Sequence, residues 1–530
     1  MRVPYTPPMM TANLLSFSLI IFSLTLLFVT ILYSEKLHNI DRGRMDNESI
    51  DKTIYRRIRT HKWYQVISRK TNGRKLKVGR VRVGNISFGE IDNEIYGRNG
   101  VEMVDVDFED VSKNVTWSNL FPEWIDESLP SDSSKCPYIP MPNFERYVDL
   151  DVVVADVPCG EAGRTGGRNF EDVLRLHLNL VVANLLVKSG RKDGNVVAVF
   201  IGSCGPMSEI FRCDDLWWRE GNSWIYRPDL ERLKEKVIMP VGSCQLAPPL
   251  HIPSQQDTRA KAKEAYVTVL HSSEDYVCGA LVLAQSIIKS NSTRDLVLLA
   301  DDSISVKSLQ GLRAAGWKIT HMQRIRNPNA ETETYNEWNY SKLRIWELIE
   351  YDKLIFIDTD FVILRNTDEF FDYPQLSAVG NNKHLFNSGF MLVEPSTCMF
   401  RNLMKQRFRV SSYNGGDQGF LNEMVTWWHR WPAKLNFLKF FDPFNADYRH
   451  EVIPKDVYAL HYLGVKPWMC HEDDHDCNWE IPENKRFASD SAHRIWWRFF
   501  NDMPNELRGH CVFTQEMEDR IKLHIAKAAN

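Results

Sequence analysis

Two nucleotide-binding signatures are missing from this chain. Neither G-x-G-x-x-G nor G-x-x-x-x-G-K-[ST] occurs in its 530 residues, so any bound nucleotide is held by neither a dinucleotide fingerprint nor a P-loop. An excess of one charge is also missing. Lys and Arg number 65 against 69 Asp and Glu, for a net charge of −4, whereas a nucleic-acid binder carries a concentrated basic surface. Between Ala12 and Tyr33 there is no charged residue at all, and Leu, Ile, Phe and Val dominate. At about 1.5 Å rise per residue this stretch spans a bilayer core of about 30 Å. The apolar region of a cleaved signal peptide is shorter, about 7–15 residues.

What is present belongs to a large globular protein: 43% hydrophobic, 25% charged and 12% aromatic residues, with sixteen Trp. Aromatics suit a carbohydrate-handling protein, since sugar C–H faces stack on indole rings, and equally suit a large core. Arg2 precedes the apolar span while Lys36, Arg42 and Arg44 follow it. By the positive-inside rule alone the carboxyl end would be cytosolic. Five glycosylation sequons (Asn47, Asn85, Asn114, Asn291, Asn339) and ten Cys, all downstream of the span, argue for a luminal body instead. The expected order is a cytosolic tail at 1–11, a signal-anchor at 12–33, a luminal stem at 34–135 with short strands around Lys75 to Phe88, and an α/β segment at 136–257. A catalytic domain at 262–512 and a tail at 513–530 complete it.

Within the α/β segment, Tyr147–Val157 and Val196–Ile201 read as strands, and Phe170–Ser189 has apolar residues at helical spacing. From Ala265 onward strands and helices alternate. Strands are expected at Tyr266–Leu270, Leu296–Ala300 and Lys318–His321, with helices at Val277–Lys289, Ser305–Ala315 and Tyr340–Glu350. This alternation predicts an α/β fold with a parallel, Rossmann-like half. The strand Leu354–Ile357 then runs into Asp358-Thr359-Asp360. Carboxylates at the carboxyl end of such a strand lie where α/β sheets bind ligands. A divalent cation shared with a substrate diphosphate would offset their burial. Alternatively, the acids cap a helix or face solvent.

Downstream come Asn387-Ser388-Gly389, the loop Gly415-Gly416-Asp417-Gln418-Gly419, and His461-Tyr462-Leu463-Gly464-Val465-Lys466-Pro467-Trp468. An imidazole can complete a metal site begun by two carboxylates, glycine permits close backbone approach, and a lysine can neutralise phosphate. Taken singly, each also has a structural reading as turn former, helix start or core residue.

The order D-x-D, N-S-G, G-G-D-Q-G, H-Y-L-G…K-P-W resembles family 8 glycosyltransferases, the glycogenin-like group, over roughly residues 265–480. Leu270-His-Ser-Ser-Glu-Asp-Tyr276, Asn336-Glu-Trp-Asn-Tyr-Ser-Lys342 and Ser411-Ser-Tyr-Asn-Gly-Gly-Asp-Gln418 are similar to the plant Golgi enzymes that add glucuronic acid to xylan. The resemblance implies a GT-A fold, UDP-glucuronate as donor, xylan as acceptor, Mn²⁺, retention of configuration and a Golgi membrane setting. A complex with other xylan-synthesis enzymes is compatible with that setting. It assigns Asp358, Asp360 and His461 to the metal, with Thr359 between the acids. It places Leu270, His271, Ser272 and Tyr276 along the uridine and Lys342 near the donor. Asn387, Ser388, Gly389, Asn414, Asp417 and Gln418 would surround the sugar, the last two as catalytic candidates. Gly464 and Lys466 would meet the diphosphate.

The chain departs from the pattern at Asn414, where glycogenin has an acid. A glucuronyl carboxylate calls for a cation, and Arg344, Lys383 and His384 are candidates by proximity in sequence. Cys470-His-Glu-Asp-Asp-His475-Asp-Cys477 invites either a zinc site or a disulfide-closed loop, and Trp427, Trp428, Trp431, Trp496 and Trp497 either an acceptor platform or core. Two other functions stay open: transfer of glucose or galactose to a different acceptor, and a scaffold or glycan-binding protein with a dead site.

Overall fold

The computed structural model describes residues 61–70, 74–83, 100–128, 136–159, 169–250, 262–381, 385–441, 453–470 and 475–511. The expected tail and span at 1–33 and the expected tail at 513–530 lie outside them. Among the described residues no helix is long and apolar enough to cross a membrane. The chain divides into two units, residues 1–75 with 87–101 and residues 76–86 with 102–530. In the first, helix α1 (His61–Lys70) buries Trp63 and Ile67, one turn apart on one face.

Among its described residues the second unit holds two large sheets and a small one. The first has six strands: β1 (Leu76–Val81), β2 (Val101–Asp105), β3 (Val152–Asp156), β4 (Val197–Ile201), β5 (Leu216–Glu220) and β6 (Ser223–Tyr226), in the order β2-β1-β3-β4-β6-β5. β1, β3 and β4 are parallel. β3 and β4 are Val-rich and almost wholly buried, as strands covered on both faces must be. Two of the strands come from the stretch expected to be stem: β1 lies where short strands were expected around Lys75 to Phe88, and β2 was not expected. Helix α2 (Phe170–Ser189) matches its expected range, and the Asn169 side chain caps it by accepting from the Glu171 and Asp172 amides. The strand expected over Tyr147–Val157 is confined to β3. Helix α3 (Leu230–Val237) follows β6.

The second sheet has seven strands: β7 (Glu264–Leu270), β8 (Asp295–Ala300), β9 (Lys318–His321), β10 (Lys353–Ile357), β12 (Ser377–Gly380), β13 (Phe386–Val393) and β14 (His429–Trp431). Its order is β14-β12-β13-β10-β7-β8-β9. β10, β7, β8 and β9 are parallel, while β13 is antiparallel to β10. Helices α4 (Val277–Lys289) and α5 (Val306–Ala314) make the crossovers from β7 to β8 and from β8 to β9. The Rossmann-like half is therefore present, and the remainder of the sheet is mixed. A small sheet of β11 (Phe361–Ile363), β15 (Phe437–Leu438) and β16 (Ala459–His461) runs in the order β11-β16-β15.

One expected α-helix is something else. Tyr340–Glu347 winds as a 3₁₀-helix. Tyr340, Leu343 and Trp346 are all buried, and their spacing of three aligns on one face only at three residues per turn.

This topology fixes where a ligand can sit. From β7 the chain moves outward to β8 and β9, then returns to the other side of β7 as β10. The carboxyl ends of β7 and β10 thus flank a topological switch point, where open α/β sheets form their binding crevice.

Candidate active site

β7 ends at Leu270 and β10 at Ile357, so Leu270–Tyr276 and Asp358–Asp360 open onto the same crevice. Two antiparallel pairings bring in the rest. β13 lies beside β10 with Ile357 opposite Phe390, and the Asp358 amide donates to the Gly389 carbonyl at 2.9 Å. Asn387, Ser388 and Gly389 therefore stand next to the acids, and all three are buried. β16 pairs with β11 so that His461 faces Phe361, and the Tyr462 amide donates to the Asp360 carbonyl at 2.9 Å. The His461 ring stacks on Phe361 with centroids 4.1 Å apart, which fixes its plane.

Ligand atoms of Asp358, Asp360 and His461 all lie within 4.8 Å of one another. The Asp360 Oδ1 atom is buried and, among the described residues, accepts no hydrogen bond, with His461 Nε2 at 3.5 Å. Two carboxylates and an imidazole form a donor set suited to a divalent cation, and an unpartnered buried carboxylate oxygen aimed into the cluster fits one. Gly389 makes room for them: a Cβ there would lie 2.9 Å from Asn387 Oδ1, 2.9 Å from Asp358 Oδ2 and 3.1 Å from His461 Cε1.

Two lysines oppose the acids. Lys342 Nζ is 2.6 Å from Asp417 Oδ2 and 3.3 Å from Asp358 Oδ1. Burial would lower its pKa, but these acids outweigh burial and lift it to about 12. Lys466 Nζ is 2.7 Å from Asp360 Oδ2 and donates to the Tyr462 carbonyl at 2.6 Å. Burial pushes the Asp360 carboxyl up, yet neighbouring positive charge, Lys466 first, prevails and holds it below the usual range. Burial pushes the Asp358 carboxyl up and wins, because Asp360 and Asp417 add to it against Lys342. Three carboxylates and two ammonium groups sum formally to −1, a sign that repels a diphosphate. A bound divalent cation reverses it, so the local charge balance also favours one.

The glycine loop opens helix α7 (Asp417–Met424), following helix α6 (Thr397–Gln406) in the chain. Asp417 Oδ2 accepts from Ser388 Oγ at 2.9 Å, and Gln418 Oε1 from the Ser388 amide at 3.2 Å. Gln418 Nε2 donates to the Tyr413 hydroxyl at 2.8 Å. Asn414, exposed, accepts from the Gly416 amide at 2.9 Å and the Gly419 amide at 3.2 Å, shaping the loop.

Residues 267–471 match the family described as glycosyl transferase family 8, and residues 53–244 match the GUX1-5 N-terminal domain. UDP-glucuronate:xylan alpha-glucuronosyltransferase 2 of Arabidopsis thaliana is 47% identical over 470 residues, covering 85% of this chain and 78% of the relative. The chain belongs to glycosyltransferase family 8. UDP-glucuronate:xylan alpha-glucuronosyltransferase 1 of the same plant is 46% identical over 81% of this chain and 65% of its own length. Human glycogenin-1 is 28% identical over 45% of this chain and 71% of its own length.

At the carboxyl end of β7 in this site, His271 Nδ1 and Ser272 Oγ are 2.8 Å apart. Burial pushes the His271 imidazole down to about 4. Tyr276 packs edge-on against Trp468. Thr359 is buried between the two acids, and Gly464 lies in the turn between His461 and Lys466.

Some expected residues are elsewhere. The Arg344 Nε donates to the Gln323 carbonyl at 3.1 Å and its Nη1 to Glu347 at 2.6 Å, neither of them a site residue. Lys383 and His384 lie outside the described residues. Cys470 and Cys477 form a disulfide, which removes both as zinc ligands. Trp427, Trp428, Trp431, Trp496 and Trp497 are all buried, so these indoles serve the core. Of the sequons, Asn114 and Asn291 are exposed, and Asn339 Nδ2 donates to Asn336 Oδ1 at 2.9 Å.

Asp301 and Arg324, paired at 2.9 Å, adjoin Ser272 and had no motif to mark them. Asn436 is the other residue missed. Its Oδ1 is 3.1 Å from His461 Nδ1, and its Nδ2 donates to Asn387 Oδ1 at 3.0 Å. Only the pairing of β15 with β16, which sets Leu438 opposite His461, brings it there.

Proposed function

We propose that this chain transfers glucuronic acid from UDP-glucuronate to xylan, with retention, using Mn²⁺. We place that activity in the Golgi lumen, on a body anchored through residues 12–33. One observation carries the substrate reading: 47% identity across 85% of the chain to a relative named for that reaction. The site supports a transferase of this kind, since with a divalent cation bound its net charge would favour a diphosphate leaving group.

When bound by Asp358, Asp360 and His461, the metal acts as a Lewis acid toward the diphosphate. Lys466, held against Asp360, supplies a fixed positive charge where the leaving oxygens develop negative charge. Lys342 keeps Asp417 ion-paired beneath the sugar. With Oδ2 of Asp417 engaged by both Lys342 and Ser388, a covalent glycosyl-Asp417 would have to form at the expense of that ion pair. Same-face attack is the reading adopted. The departing phosphate takes the acceptor proton, and the Gln418 amide, oriented at both ends, faces the oxocarbenium-like sugar.

The test is turnover by the purified full-length protein with Mn²⁺, a UDP-sugar panel and xylo-oligosaccharide acceptors. Release of UDP from UDP-glucuronate, with glucuronosyl xylo-oligosaccharide as product, is expected, and Asp358→Ala with Asp360→Ala should abolish it. Turnover with UDP-glucose but not UDP-glucuronate would sink the donor assignment. A folded protein that turns over no donor would favour the scaffold reading.

A further inference from the structure

A chain of hydrogen bonds behind the candidate metal cluster has only one consistent polarity. It begins at a backbone amide. The Gly389 N–H can only donate, so the Asn387 side-chain atom 2.8 Å away must be its carbonyl oxygen. That same oxygen is 3.0 Å from an Asn436 side-chain atom. Two acceptors cannot bond, so the Asn436 atom is its NH₂ group. The Asn436 carbonyl then faces the other way, 3.1 Å from His461 Nδ1. Asn436, Asn387 and His461 are all buried, and the three side chains are thereby locked to one another.

We infer that Asn436 is a positioning residue that sets the His461 tautomer: its carbonyl holds the proton on Nδ1 and leaves the Nε2 lone pair bare. The bare lone pair is the one that faces Asp360 Oδ1 at 3.5 Å. Two lone pairs confronting each other in a buried cluster repel, and a cation held by Asp360 and His461 would relieve that repulsion. Orientation by a partner on the far ring nitrogen is how ligating histidines are tuned. Here the polarity is imposed from Gly389, a residue of the same N-S-G strand end that lines the sugar pocket. This inference rests on the cluster being a metal site, and its test reads metal binding without turnover.

Mn²⁺ binding to the full-length protein, followed by the electron paramagnetic resonance signal of free Mn²⁺, separates the roles. Asn436→Ala removes the acceptor and should weaken binding about ten- to a hundredfold. Asn436→Asp loses the N–H donor to Asn387 but keeps an acceptor for Nδ1–H, and should bind Mn²⁺ more tightly than Asn436→Ala. Equal weakening in both variants, or none in Asn436→Ala, would overturn the inference. Saturable wild-type binding that Asp358→Ala does not weaken would overturn the cluster itself. Should the Asn436 variants fail to fold, histidine-selective ¹⁵N spectra of the metal-free wild type at about pH 8 decide the matter. The His461 signal, assigned with His461→Gln, should show a protonated Nδ1, and a bare Nδ1 would contradict the inference.

Discussion

At the scale of single residues, the acids are held apart in character by their neighbours. Asp358 and Asp360 are separated by one residue, yet Lys466 draws the Asp360 carboxyl down while burial raises that of Asp358. The space they share is kept open by Gly389. Gly389→Ala would push a methyl against Asn387 Oδ1, Asp358 Oδ2 and His461 Cε1 together. It should weaken Mn²⁺ binding by at least about tenfold, measured by calorimetry, with little change in the circular dichroism spectrum. An unaltered isotherm would show that the cluster tolerates the methyl and that its geometry matters less than proposed. Residue type made Asp358, Asp360, His461 and Lys466 legible in the sequence, because a carboxylate at a strand end and a lysine near phosphate advertise their chemistry, whereas Lys342 was marked only by the family resemblance. Asn436 was not legible. An asparagine in Leu435-Asn436-Phe437 carries no signal until β15 is laid beside β16.

At the scale of elements, strands and helices that pack by simple periodicity were read almost to the residue, as with α2, α4 and β10. The segment Tyr340–Glu347 was not, since three-residue spacing over two turns is hard to separate from an α-helical stripe. The order of strands was also hidden: nothing local reveals that β10 returns beside β7, although that return creates the crevice. One contact couples the crossover helix to the site. A Cβ on Gly279 of α4 would come 2.5 Å from the Thr359 carbonyl and 2.7 Å from the Trp468 ring. Gly279→Val should therefore lift α4 off the turn between the acids, costing about 1–3 kcal/mol of stability and lowering turnover with it. Denaturant unfolding and UDP release would be measured side by side. Loss of neither would mean that the helix has slack to move.

At the scale of the whole larger unit, the two large sheets are joined along a seam rich in buried charge. Arg212 pairs with Glu394 at 2.5 Å, Cys213 is bonded to Cys398, and the Ser396 hydroxyl donates to Asp214. Lys236 of α3 sits at the centre of the seam, donating to the Gln375 carbonyl at 2.8 Å and lying 2.8 Å from His429 Nε2. Burial pulls the Lys236 pKa down to about 7, against the pull of Glu209 and Glu394. Its ordinary value is 10.5, so between pH 7 and that value the unfolded chain binds a proton that the folded chain lacks. Stability then rises with pH across this window, and the slope disappears below it, where both states are protonated. Lys236→Met removes the titrating group and with it this rise. From pH 7 to 9 the wild type should gain about 2 kcal/mol relative to the variant, read from urea unfolding at each pH. Parallel curves for the two proteins would show that Lys236 keeps its proton in the seam. In that case the ammonium, shared between Gln375 and His429 under the field of two glutamates, would be a permanent charge clamp between the sheets.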